Sequence, residues 1–161
     1  MRVVAVVLAL TFAFSSYADL LVSVREESSL PYEFSPSNYE NSPSNYANSV
    51  SNYENSPSNY ANSESNYANS SSNYANGAGG ERRLILEEDG QSYRVGYYVR
   101  ADSGVINFFS VKGKRLFYSA AAGSGVFHGK SGFFCGVLAR VGGELQLVLT
   151  EAGERVLLLG E

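Results

Sequence analysis

Apolar positions fall in three textures along this chain. From Val3 to Phe14 they run almost unbroken; from Pro36 to Gly77 a tyrosine is almost the only large side chain in each seven residues; after Glu81 they return as short alternating runs broken by glycine. The first stretch follows a single positive charge at Arg2 and ends in small Ser16 and Ala18, an A-x-A-like site, so residues 1–18 are expected to be an export leader cut before Asp19. A bilayer span needs roughly 20 apolar residues, which this run does not reach, and no later stretch is long and apolar enough to cross a membrane. Residues 19–35 read as a linker.

The middle stretch is a heptad written six times: PSNYENS, PSNYANS, VSNYENS, PSNYANS, ESNYANS and SSNYANG. It sets Tyr39, Tyr46, Tyr53, Tyr60, Tyr67 and Tyr74 at equal intervals, and a degenerate copy ahead of it, SLPYEFS, carries Tyr32, Glu33 and Ser35 in register. A coiled coil is excluded, because that heptad requires apolar residues at both a and d. Pro36, Pro43 and Pro57 oppose a helix, and Asn and Ser prefer to bond their own backbone. Asn-Ser-Pro-Ser is a turn signal. One turn and one extended piece per heptad would gather the tyrosines on one side, as stacked repeats do. One continuous strand would throw successive tyrosines to opposite faces, since seven is odd. Low hydrophobicity also permits disorder. Disorder or a loosely ordered tyrosine ladder is expected ahead of a rigid solenoid, with the segment serving as a spacer.

Beyond the boundary at Gly77-Ala-Gly-Gly80, four units repeat: LILEEDGQSYRVGYYV, INFFSVKGKRLFYSA, VFHGKSGFFCGVLARV and LQLVLTEAGERVLLL, each with a glycine at its corner (Gly90, Gly113, Gly132, Gly153). Alternation at Tyr93, Val95 and Tyr97, at Leu116 and Tyr118, and at Leu145, Leu147 and Leu149 marks strands. Proline is absent after Pro57, as strands with a ladder to complete require. The expectation is a small all-β domain over residues 83–160, about eight short antiparallel strands in four hairpins. A domain this small buries only about 60% of its unfolded surface, so packing against a second copy would help it.

The stretches Val105-Ile-Asn-Phe-Phe-Ser-Val-Lys-Gly-Lys-Arg-Leu-Phe-Tyr118 and Gly125-Val-Phe-His-Gly-Lys-Ser-Gly-Phe-Phe-Cys-Gly-Val-Leu138 resemble the four-fold β-flower domain of bacterial proteins, in which short strand-Gly-strand units surround a central axis. Proteins with Asn/Ser/aromatic heptads ahead of such a domain are similar in layout. The resemblance implies a β fold and brings no established activity and no functional residues.

Charge narrows the functions further. Asp19 to Gly80 holds one basic residue and seven acidic ones (1 − 7 = −6), and Glu81 to Glu161 ten basic against nine acidic (10 − 9 = +1). Neither half carries the basic stripe that nucleic acid requires. His128 is the only histidine, and it sits where a turn or strand end is expected. Cys135 is the only cysteine, read as a small apolar thiol, with an intermolecular disulfide as the sharper alternative. Gly129-Lys130-Ser131-Gly132 lacks the P-loop spacing. Glu87, Glu88 and Asp89 cluster at a turn without the alternating ligand spacing of a calcium loop. No catalytic constellation, cofactor site or metal site emerges. The chain therefore reads as an exported, non-enzymatic binding or structural protein of the periplasm, cell surface or medium, a β domain displayed on its spacer. The six tyrosines are the candidate binding residues, through ring stacking, with glycan or cell-envelope material as candidate partner. The alternative is a secreted hydrolase or effector using Cys135 or the acidic turn.

Overall fold

The computed structural model describes residues 18–161. The leader expected over 1–18 lies, but for Ala18, outside the described residues. Eight strands close into one barrel: β1 (Leu20–Val24), β2 (Arg83–Glu88), β3 (Gln91–Arg100), β4 (Ile106–Ser110), β5 (Arg115–Ser119), β6 (Gly125–His128), β7 (Phe134–Val141) and β8 (Glu144–Leu149). From β2 to β8 each strand pairs antiparallel with the next, and β1 closes the ring by running parallel to both β2 and β8. The fold is thus small and all-β apart from short turns and one C-terminal helix, as expected. Three of the expected hairpins stand, β2–β3, β4–β5 and β6–β7, with Gly90, Gly113 and Gly132 all at positive φ in their turns.

Two expectations are corrected. The linker assigned to 19–35 begins with a barrel strand, in which Leu20 and Val22 point inward with 5% exposure each. A parallel strand has no hairpin turn to announce it. The fourth hairpin is a strand followed by a helix, α1 (Glu151–Leu159). Thr150 caps it by accepting from the Gly153 N–H at 3.3 Å, Glu151 and Glu154 occupy the first turn, and Gly160 ends it in the left-handed conformation at φ 75°. Gly153 is therefore no corner: it sits so close on the Cys135 carbonyl that any Cβ there would collide with it. A closed barrel with one parallel insertion leaves the four-fold relation to the β-flower family an expectation.

Two apolar layers result. One cluster, including Leu84, Phe108, Leu147 and Leu149, fills the barrel and takes in Val156 and Leu157 from α1 at its end. The second, with Tyr118, Phe127, Phe134 and Val148, lies on the outer face, where Leu30, Phe34 and Val50 pack on it. Val148 between Leu147 and Leu149 shows the two faces alternating along one strand. Every residue of β4 and β5 is buried, because the heptad segment covers their outer side.

Candidate binding surface: a tyrosine ladder on a heptad coil

Each heptad is two successive turns. Around Asn45, for example, the Asn45 N–H donates to the Ser42 carbonyl (3.2 Å), the Asn48 N–H to Asn45 (2.9 Å) and the Ser49 N–H to Tyr46 (3.1 Å). Side chains hold the rest. Ser42 Oγ accepts from the Ser44 N–H at 3.1 Å, and Asn45 Oδ1 accepts from the Ala47 N–H at 3.0 Å. The serine just ahead of each copy and the first asparagine within it repeat these roles in all six. This is the backbone-competing chemistry that disfavours helix, here used to satisfy a chain that has no ladder of its own.

Neighbouring coils are joined by the asparagine two places after each tyrosine. Asn41, Asn48, Asn55, Asn62, Asn69 and Asn76 are at most 2% exposed. Each directs its amide N–H groups at two carbonyls of the preceding coil, as Asn62 does at Glu54 (2.8 Å) and Ser56 (3.0 Å). Neither Asp nor a shorter side chain fits this place: Asp has no N–H to give, and a shorter side chain leaves both carbonyls unpaired. At the last coil the chain closes down on itself, Gly80 lying where any Cβ would collide with the Ala75 carbonyl.

The same asparagines bind the coil to the barrel. Tyr118 Oη donates to the Asn48 carbonyl (2.6 Å), Arg115 Nη2 to that of Asn55 (2.8 Å), Asn107 Nδ2 to Asn62 Oδ1 (2.8 Å), Tyr97 Oη to the Asn69 carbonyl (2.6 Å) and Arg94 Nη2 to that of Asn76 (2.8 Å). The coil thus steps across β5, β4 and β3 in reverse chain order. The first heptad position, where Pro alternates with other residues, meets the hairpin turns. Val50 packs at Gly132, Ser71 at Gly113, and Glu64 accepts the Arg115 backbone N–H at 2.8 Å. A spacer would make no such contacts; the stretch expected to be disordered or a loosely ordered ladder is instead docked on the barrel and ordered by its own hydrogen bonds.

Arg115 is the pivot. Its buried guanidinium reaches Asn107 Oδ1 (2.8 Å), the Gly129 carbonyl (3.0 Å) and Asn55, and lies over the Tyr118 ring at 5.0 Å. Burial lowers its pKa to about 10, with Tyr118 and Glu64 working in the opposite direction. Burial also pushes Tyr97 up to about 12 and raises Tyr118. A cleft of about 360 Å³ opens beside Arg115, Glu64 and Lys130.

With the asparagines turned to the barrel, the tyrosines face away from it. Tyr32, Tyr39, Tyr46, Tyr53, Tyr60, Tyr67 and Tyr74 are 63% to 80% exposed. Their hydroxyls have no hydrogen-bond partner among the described residues, whereas Tyr97 and Tyr118 each donate one. All six sequence-expected candidates therefore lie in one array, and the degenerate copy adds Tyr32 to it. Sequence reasoning missed the docking asparagines; their presence two places after every tyrosine was the available signal.

The other candidates stay apart. Cys135 is fully buried, its thiol pushed up to about 12 by burial, a poor setting for a nucleophile or a cross-link. His128 ends β6, accepts from the Ser131 N–H through Nδ1 (3.2 Å) and stacks on Phe133 at 4.7 Å. Its pKa is lowered by burial and then by Lys130. Glu87, Glu88 and Asp89 lie exposed at the β2–β3 turn, and among the described residues no three His, Cys, Asp or Glu side chains gather as a metal site. No described helix is long and apolar enough to cross a membrane. Comparison with protein families, curated proteins and solved structures finds no match.

Proposed function

We propose that this is an exported, non-enzymatic binding or structural protein whose barrel serves as a bed for the heptad coil, and whose coil offers its tyrosines to a linear, uncharged polymer such as envelope glycan. The observation that carries the reading is the division of each heptad: asparagine inward and bonded, tyrosine outward with a free hydroxyl. Evenly spaced phenol rings suit a ligand that repeats along a line, because each added contact becomes intramolecular. The segment from Glu26 to Glu81 contains no Lys or Arg, which disfavours anionic polymers. The alternative as a hydrolase or effector draws no support from a buried thiol or an open acidic turn.

The test is retention of the mature chain on insoluble glycan and on cell-wall material. Changing Tyr39, Tyr46, Tyr53, Tyr60, Tyr67 and Tyr74 together to Ser should abolish it, and undiminished retention would overturn the reading. Fractionation of the host with intact mass of the chain tests export and cleavage before Asp19.

A further inference from the structure

We propose that the ladder is also a site of covalent modification: phenols of two copies of this chain couple oxidatively, joining the copies through tyrosine–tyrosine carbon–carbon bonds. This rests on the same outward array but not on polymer binding. The chain has one cysteine, one methionine, which is Met1, and no tryptophan, against 12 tyrosines. Cys135 is buried and its thiol held protonated. The described surface therefore presents an oxidant with phenols in place of the softer groups that would otherwise react first. Among those phenols the buried pair, Tyr97 and Tyr118, is enclosed and engaged with Asn69 and Asn48, while the seven ladder hydroxyls are free and most of each side chain is in water.

The co-reactant is hydrogen peroxide used by a haem peroxidase. Each of two phenols gives up one electron and one proton, and the two radicals join through ring carbons ortho to oxygen. The hydrogens displaced from those carbons leave as protons while the oxygens are reprotonated, so that both rings regain aromaticity. One peroxide takes the two electrons and two protons and leaves as two waters.

Charge selects where copies meet. Tyr32, Tyr39 and Tyr53 are each followed by an exposed glutamate, Glu33, Glu40 and Glu54, and Tyr46, followed by Ala47, lies between two of these, whereas Tyr60, Tyr67 and Tyr74 are all followed by alanine. Glu64, in the latter half, accepts the Arg115 backbone N–H on the side of the barrel. Two like-charged ladders repel at their acidic ends, so coupling concentrates at Tyr60, Tyr67 and Tyr74, and added salt evens the distribution.

The experiment treats the mature chain with peroxide and haem peroxidase. Covalent oligomers on a denaturing gel and dityrosine fluorescence are expected. Proteolysis after glutamate, which cuts the ladder at Glu33, Glu40, Glu54 and Glu64, should place most links in the peptides holding Tyr60, Tyr67 and Tyr74. Replacing all seven ladder tyrosines by Phe keeps the rings and their exposure but removes the oxidisable hydroxyl, and should remove the oligomers. Absence of oligomers, their survival in the Phe variant, or links at half-exposed Tyr93 as frequent as at the ladder would each overturn the inference. Failure of the glycan reading looks different: the unmodified chain would couple but would not be retained.

Discussion

Inside the barrel Phe108, Leu116 and Leu147 are fully buried; in the coil Asn48, Asn55 and Asn62 are at most 2% exposed. The first set needs only volume. Its members touch apolar neighbours without direction, and similar shapes can exchange at a cost usually under about 1.5 kcal/mol. The asparagines need geometry, because each must present two donors to two carbonyls of the coil before it. A polar segment with no apolar centre thus becomes ordered by satisfying its backbone and leaning on a barrel face whose Tyr, Asn and Arg side chains complement it. The coil is therefore free to turn its one large side chain per heptad outward.

The most direct way to break that contrast is a near-isosteric pair. Asn62→Asp preserves shape but loses both donors and sets a carboxylate against the carbonyls of Glu54 and Ser56. An uncompensated buried charge costs about 3–5 kcal/mol. Asn62→Ala, which leaves those two carbonyls and the Asn107 amide unpaired but buries no charge, should cost less, about 1–3 kcal/mol. Leu147→Met in the barrel should cost less than about 1.5 kcal/mol. Urea unfolding of the three variants checks the order. Asp tolerated better than Ala would mean that the amide bonds do not hold the coil.

The two regions were unequally legible in the sequence. Alternation and glycine placed β2 through β7 within their hairpins, since local turns advertise themselves. β1 was hidden because its partners β2 and β8 are distant in the chain, and α1 because Leu145, Leu147 and Leu149 carry a strand pattern up to Thr150, and a single threonine does not by itself announce a cap. In the coil, tyrosine exposure was legible as a ladder, but the ordering was not: by polarity alone, an asparagine that docks looks the same as one in a loose tail. Val50, Glu64 and Ser71, which stand where other copies have Pro, complement the barrel at the Gly132 turn, the Arg115 backbone N–H at the start of β5 and the Gly113 turn.

The phenols that join the regions give a pH-dependent probe. Tyr97 and Tyr118 have folded pKa values above the unfolded value near 10. The stability they contribute is whole below about pH 10 and is lost as pH rises toward about 12, because the unfolded chain releases those protons first. Arg115, lowered to about 10 in the fold, acts in the opposite sense over that range, one guanidinium against two phenols. Stability is therefore expected to fall above pH 10. Tyr118→Phe, which leaves the Asn48 carbonyl without its donor, should cost about 1 kcal/mol at neutral pH and flatten the alkaline loss. A titration followed by tyrosine absorbance and circular dichroism together would show the buried phenols ionising only as the barrel opens; their ionisation with the fold intact contradicts the docking.

The smallest effect is expected at the ladder, and it decides what the ladder is for. The Tyr53 ring is 64% exposed and its hydroxyl bonds to nothing described. The part of Tyr53 that the coil uses is its backbone carbonyl, which accepts from the Ser56 N–H at 3.1 Å and Asn59 Nδ2 at 3.2 Å and survives any change of side chain. Tyr53→Ser should then leave stability within about 0.5 kcal/mol, as surface substitutions do. Asn55→Ala, two residues away in the same coil, should cost about 1–3 kcal/mol by unpairing the carbonyls of Ala47 and Ser49. Urea midpoints of the two variants, measured side by side, separate the faces. If Tyr53→Ser lost as much as Asn55→Ala, the tyrosines would be structural members of the coil, and their outward array would no longer need a partner to account for it.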